Sequence, residues 1–89
     1  MNKTWTDEAW DGYVYWQTQD KKTLKRINQL LKDIDRGGYE GIGKPELLTG
    51  DWAGYWSREI DKKNRIIYRI ENGIIKIYQC GSQVASNNL

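Results

Sequence analysis

The chain has 89 residues, a net charge of +2, one cysteine, one proline and no histidine. That length holds a single hydrophobic core and no second domain. A lone Cys80 excludes an intramolecular disulfide and, with histidine absent, argues against a zinc site.

Apolar bulk is carried by five tryptophans and six tyrosines with no phenylalanine, rings that either pack a core or stack on a base. Charge is uneven along the chain. Residues 1–20 set Lys3 against Asp7, Glu8, Asp11 and Asp20, whereas residues 21–36 carry Lys21, Lys22, Lys25, Arg26, Lys32 and Arg36 against Asp33 and Asp35. Residues 57–89 are again predominantly basic. Basic regions separated by acidic ones suit contact with a polyanion on one side, the alternative being solvated helix faces. No apolar run suits a leader peptide or a membrane span, so a cytoplasmic protein without membrane contact is expected.

In chain order, Lys3–Trp5 reads as a short strand and Thr6 as the N-cap of a helix running to about Gln19, with Asp7 and Glu8 in its first turn. Ala9, Tyr13 and Trp16, with Trp10 and Val14 beside them, predict one broad core face. Asp20 caps a second helix in which Leu24, Ile27, Leu30, Leu31 and Ile34 keep helical spacing, and Gly37-Gly38 ends it. From Tyr39 to Gly54 the glycines, Pro45 and the lack of periodicity predict a long ordered loop, a kind of segment that is usually functional.

Three strands follow, near 55–60, 65–70 and 74–80, and Asn72-Gly73 marks a tight hairpin between the last two. Pairing 70 with 75, 68 with 77 and 66 with 79 puts Ile66, Tyr68, Ile70, Ile75 and Ile77 on a buried face. Arg65, Ile67, Arg69, Lys76, Tyr78 and Cys80 then form an open, basic floor. On the strand before, either Arg58 or Glu59 joins this floor, and the apolar preference of Trp56 and Ile60 favours Glu59 as the neighbour of Arg65. The fold expected is α+β, two N-terminal helices on a small twisted antiparallel sheet.

A carboxylate facing arginines suits RNA cleavage without a metal, in which a base takes the 2′-hydroxyl proton, a cation steadies the phosphate and an acid protonates the leaving oxygen. Glu46 can be the base and Arg65 the phosphate clamp, with Lys44 and Arg58 or Arg69 adding positive potential. The alternatives are simple ion pairs, Glu46 with Lys44 and Arg65 with Glu59. Trp10, Trp16 and Trp56 are read as core rings, while Trp52, Tyr55 and Tyr78 remain open between core and base contact.

Three motifs carry a resemblance: Gly41-Ile42-Gly43-Lys44-Pro45-Glu46, Trp56-Ser57-Arg58 and Asn64-Arg65-Ile66-Ile67-Tyr68. Together with the opening Trp5 to Gln17 and the helix Lys25 to Ile34, they resemble the YoeB (Txe) branch of the RelE-type toxins over about residues 3–82. The resemblance implies a RelE-like, microbial-ribonuclease-like fold spanning the whole chain as one toxin domain. It implies an endoribonuclease that enters the A site of the 70S ribosome and cuts mRNA, with no cofactor. It implies inhibition by a cognate antitoxin of the YefM/Phd type, operator DNA contact only through that antitoxin, and a homodimer as a further state.

Carried over by residue, Glu46 matches the family's general base and Arg65 its phosphate-stabilising arginine. Lys44, Arg58, Glu59, Arg69, Tyr78 and Val84 then fall in the substrate-binding set. Members end in a His-Tyr pair, the histidine as general acid, where this chain has Gln83-Val84 followed by a divergent tail to Leu89. Glutamine delivers no proton and valine does not stack as a ring does. Glu59 also stands where relatives often carry a second arginine, and Thr49 and Gly50 where they often carry basic residues. Loss of a general acid costs roughly 10²–10⁴-fold, so a much weakened nuclease, or an inactive one, is expected. The other readings are a catalytically silent module that binds antitoxin or ribosome, and a plain single-stranded RNA binder, against which the modest net charge argues.

Overall fold

The computed structural model describes residues 1–81. The elements are β1 (Asn2–Trp5), α1 (Asp7–Gln19), α2 (Lys21–Gly37), β2 (Glu46–Leu47), β3 (Trp56–Glu59), β4 (Arg65–Glu71) and β5 (Ile74–Cys80), with one 3₁₀ turn at Gly50–Trp52. Both caps form as expected: Thr6 accepts from the Ala9 amide and Asp20 from the Lys22 amide. Asn72 and Gly73 take φ of 53° and 74°, the left-handed pair that a two-residue hairpin needs.

One sheet in the order β1-β5-β4-β3-β2 carries both helices on one face, an α+β fold. Its last four strands are antiparallel, as expected, but β1 joins the edge of β5 in parallel, so the whole sheet is mixed. Thr6 secures that junction, its amide donating to the Ile77 carbonyl and its hydroxyl to the Tyr78 carbonyl.

The core joins Ile27, Leu30, Leu31 and Ile34 of α2 to Ile66, Tyr68, Ile75 and Ile77 of the sheet. A stacked Tyr39–Trp56 pair, 4.6 Å between centroids, closes one end. The α1 face is narrower than its periodicity predicts. Gly12 lets the helix approach β5 so closely that a Cβ there would lie 2.4 Å from the Cys80 carbonyl oxygen, and Trp16 Nε1 donates to the same carbonyl at 3.3 Å. At that distance a narrow stripe through Ala9 and Gly12 is fully covered, while Trp10 and Val14 stay 48% and 42% exposed instead of joining the core. Trp10 packs on the flank against Trp5 and Tyr13.

The β4–β5 register also departs from expectation. Ile70 pairs with Ile75 and Tyr68 with Ile77, but a bulge follows and Ile66 meets Cys80, with Gln79 opposite Ile67. One extra residue on β5 reverses the alternation. Cys80 therefore turns into the core and leaves the open face, where Tyr78 remains.

Candidate functional site

The residue before the site, Arg58, is the main structural post. Register sets β3 so that Trp56 and Arg58 lie opposite Tyr68 and Ile66 on the helix face, and Ser57 and Glu59 opposite Ile67 and Arg65 on the open face. Arg58 is 0% exposed, so its expected place at the phosphate is corrected: it binds the protein's own oxygens. Its Nε donates to the Tyr68 hydroxyl (3.0 Å), Nη1 to Asp33 (2.7 Å) and the Ile42 carbonyl (2.8 Å), and Nη2 to the carbonyls of Gly38 (2.9 Å) and Glu40 (3.0 Å). The hydrogen bond from Arg58 holds the Asp33 carboxyl below its ordinary value.

Three carbonyls of the 38–43 loop thus converge on one guanidinium. The Glu59 amide then donates to the Gly43 carbonyl at 2.6 Å, fastening the loop to β3. Gly43 has φ of 81°, and a Cβ there would come within 2.6 Å of a Leu30 methyl, so only glycine fits. Lys44 follows in the left-handed region at φ 51°, ahead of Pro45, and the chain emerges as β2. Glu46 consequently sits on a strand paired with Ser57, within a segment that reads as loop from sequence.

On the open face Arg65 Nη1 donates to Glu46 Oε1 and to Ser57 Oγ, both at 2.9 Å. Lys44 Nζ lies 3.7 Å from Glu59 Oε1. The charged partners are therefore the reverse of the simple ion pairs considered from sequence, although Glu59 and Arg65 are cross-strand neighbours as expected. Glu46 and Arg65 have side chains 58% and 43% exposed, so both remain reachable by a ligand, while Ser57 beneath them is buried. Among the described residues both Arg65 bonds use Nη1, which leaves Nε and Nη2 to take a phosphate. Ser57 escaped the sequence reading, although strand alternation from Glu59 places it on this face.

Further along the same face Arg69 pairs with Glu71, and Lys76 Nζ reaches Glu71 at 2.7 Å. Lys76 holds the Glu71 carboxyl below its ordinary value, and Glu71 raises that of Lys76. Tyr55, Tyr78 and Trp52 cluster edge to face beside them. Gln83 and Val84 lie outside the described residues. Cys80 is fully buried and its thiol is pushed up to about 12, which leaves no accessible thiolate. Among the described residues no group of three or more His, Cys, Asp or Glu side chains is placed to hold a metal ion.

A sequence model described as "YoeB-like toxin of bacterial type II toxin-antitoxin system" matches residues 5–83. Toxin YoeB of Escherichia coli K12 is 42% identical over 80 residues, covering 90% of this chain and 95% of that protein. YoeB in a heterotetrameric YoeB–YefM complex from Staphylococcus aureus superposes with a TM-score of 0.85 at 46% identity, covering 91% of this chain and 94% of that one. A YoeB dimer from the same organism gives 0.84 at 46% identity and the same coverage.

Proposed function

The chain belongs to the YoeB-like toxins of bacterial type II toxin–antitoxin systems, and from that premise we propose that it is a ribosome-dependent mRNA endoribonuclease with an incomplete catalytic set. Toxins of this type are generally endoribonucleases. The observation that carries the reading is the Glu46–Arg65 contact at 2.9 Å on an open, basic sheet face, anchored below by Ser57.

In the proposed reaction Glu46 takes the proton from a ribose 2′-hydroxyl. The 2′-oxygen then attacks phosphorus, forming a 2′,3′-cyclic phosphate as the bond to the 5′-oxygen breaks. Arg65 balances the charge that builds on the phosphate oxygens, and Lys44 and Arg69 add potential around them. The 5′-oxygen needs a proton as it leaves. The position that should supply it holds Gln83, and Val84 replaces a ring beside it. Glu59, a carboxylate across from Arg65, weakens phosphate attraction further.

The test is cleavage of a programmed ribosome by the native chain and by the double variant Gln83→His, Val84→Tyr. The variant should cut faster by roughly 10²–10⁴-fold. A folded variant that cuts nothing sinks the nuclease reading. The partner proposed is a cognate antitoxin of the YefM type, as in the Staphylococcus aureus YoeB complex, with any operator DNA reached only through that antitoxin. Self-association, as in the YoeB dimer, is the second assembly proposed. Gln83 and Glu59 also favour a second reading, a silent module that keeps its antitoxin surface; undiminished antitoxin affinity without cleavage selects it.

A further inference from the structure

Among the aromatic groups of the described residues, Trp5, Trp10 and Tyr13 pack where α1 meets β1, and two further groups lie on opposite faces of the sheet. Tyr39, Trp56 and Tyr68 stack on the helix face as part of the core. Trp52, Tyr55 and Tyr78 assemble at the open face, outside that core cluster and on the side of the sheet away from α1 and α2. Their centroids lie 5.2 Å (Trp52–Tyr55), 4.8 Å (Tyr55–Tyr78) and 6.5 Å (Trp52–Tyr78) apart, steeply inclined to one another. All three rings are half-buried.

The Arg69 guanidinium lies over the Tyr55 ring at 4.9 Å, tied to Glu71, which also holds Lys76. Among the described residues Arg69 Nε is buried with no hydrogen-bond partner. A half-exposed aromatic group rimmed by cations marks a ligand surface more than a packing surface.

Its position relates it to the Glu46–Arg65 pair. Ser57, which receives the Arg65 hydrogen bond, follows Tyr55 by two residues, and the Leu48 amide donates to the Tyr55 carbonyl at 2.8 Å, continuing the β2–β3 ladder to that point. Two residues along a strand share a face and span about 7 Å. A ring carried two residues from the serine that anchors the phosphate clamp, on the same face, is placed for a base on the same strand of RNA. Aromatic rings and arginine planes are the groups on which unpaired bases stack.

We propose that Trp52, Tyr55 and Tyr78, with Arg69 across the Tyr55 ring, form a stacking subsite for an unpaired RNA base next to the phosphate held by Arg65. The subsite rests on the reading of Glu46 and Arg65 as an RNA site. It takes any base by its π-face, so it sets affinity and register of the strand more than base identity. Trp52 and Tyr78 supply ring surface, while Arg69 holds Tyr55 in place and adds positive potential.

The experiment uses the full chain and 70S ribosomes carrying an mRNA whose A-site codon is 2′-deoxy, so that binding is read without cleavage. A second mRNA has the same codon with its bases removed. Trp52→Ala and Tyr78→Ala should each weaken binding to the intact codon by about ten-fold, and leave binding to the abasic codon unchanged; Trp52→Phe should restore most of the loss. Arg65→Ala should weaken binding to both. If the ring variants bind intact and abasic codons with the same loss, or with none, the subsite is overturned while the Arg65 result still decides the phosphate clamp. No binding by the native chain overturns both.

Discussion

Arg58 and Asp33 meet at 2.7 Å across 25 residues of sequence, and their contact joins the last turns of α2 to β3 and to the loop that delivers Glu46. Replacing Arg58 with Met takes the guanidinium donor from the carbonyls of Glu40 and Ile42, while the Gly38 carbonyl keeps the Tyr68 hydroxyl and Asp33 keeps the Ile42 amide. Breaking one side of a fully buried pair costs about 3–5 kcal/mol, and because Asp33 is 27% exposed the cost here is about 2–3 kcal/mol. Urea unfolding should register a loss of that order, and amide exchange across residues 38–43 should speed up before the sheet opens. A loss within 1 kcal/mol would show that water replaces the guanidinium without penalty.

The same pair sets an acid limit. Asp33 is held below the ordinary aspartate value of 3.8 by the Arg58 hydrogen bond. A carboxyl depressed in the folded state adds stability that is complete above its unfolded value and is lost as pH falls through its folded value. The native chain should therefore lose urea resistance as pH drops below 3.8, and Asp33→Asn should lose less over that interval. Equal slopes for both would remove Asp33 from the acid response.

Gly12 meets the Cys80 carbonyl where a methyl group would lie 2.4 Å from oxygen. Gly12→Ala gains helix propensity of up to about 1 kcal/mol, but it must push α1 off β5. Overpacking of this kind costs about 1–3 kcal/mol, so a lower thermal midpoint is expected, with the Trp16 indole bond to Cys80 weakened. A raised midpoint would mean that the helix shifts freely.

Cys80 is buried and its thiol is pushed up to about 12 from 9.0. Native protein at pH 8 should resist a thiol reagent that labels it at once in denaturant. A raised value contributes stability that is full below the unfolded value and fades as pH climbs toward the folded one, here between 9.0 and about 12. Cys80→Ala should flatten part of that alkaline loss.

The Glu46–Arg65 pair is exposed on both sides, so it contributes little to folding, about 0–1 kcal/mol. Glu46→Gln should leave the unfolding midpoint close to native while abolishing whatever cleavage the Gln83→His, Val84→Tyr variant recovers. A variant that unfolds more easily by several kcal/mol would mark Glu46 as structural.

Much of the chain was legible because the deciding interactions are local. The Thr6 and Asp20 caps, the five-residue apolar stripe of α2 and the Asn72-Gly73 turn are each settled within a few residues of themselves. The pairings 70 with 75 and 68 with 77 followed from that turn, and Glu59 beside Arg65 from alternation. What tertiary structure alone decided involves groups far apart in the chain. Thr6 bonds to Tyr78 across 72 residues, which seats β1 parallel to β5. A bulge beyond Ile77, too subtle for periodicity to register, turned Cys80 inward. Close approach at Gly12 narrowed the α1 face and left Trp10 and Val14 in solvent. Charge type alone does not say which cation is sealed in the core and which faces the solvent. That was settled by which arginine found a ring of carbonyls and which found a carboxylate at an open edge, so Arg58 became the post and Arg65 the clamp.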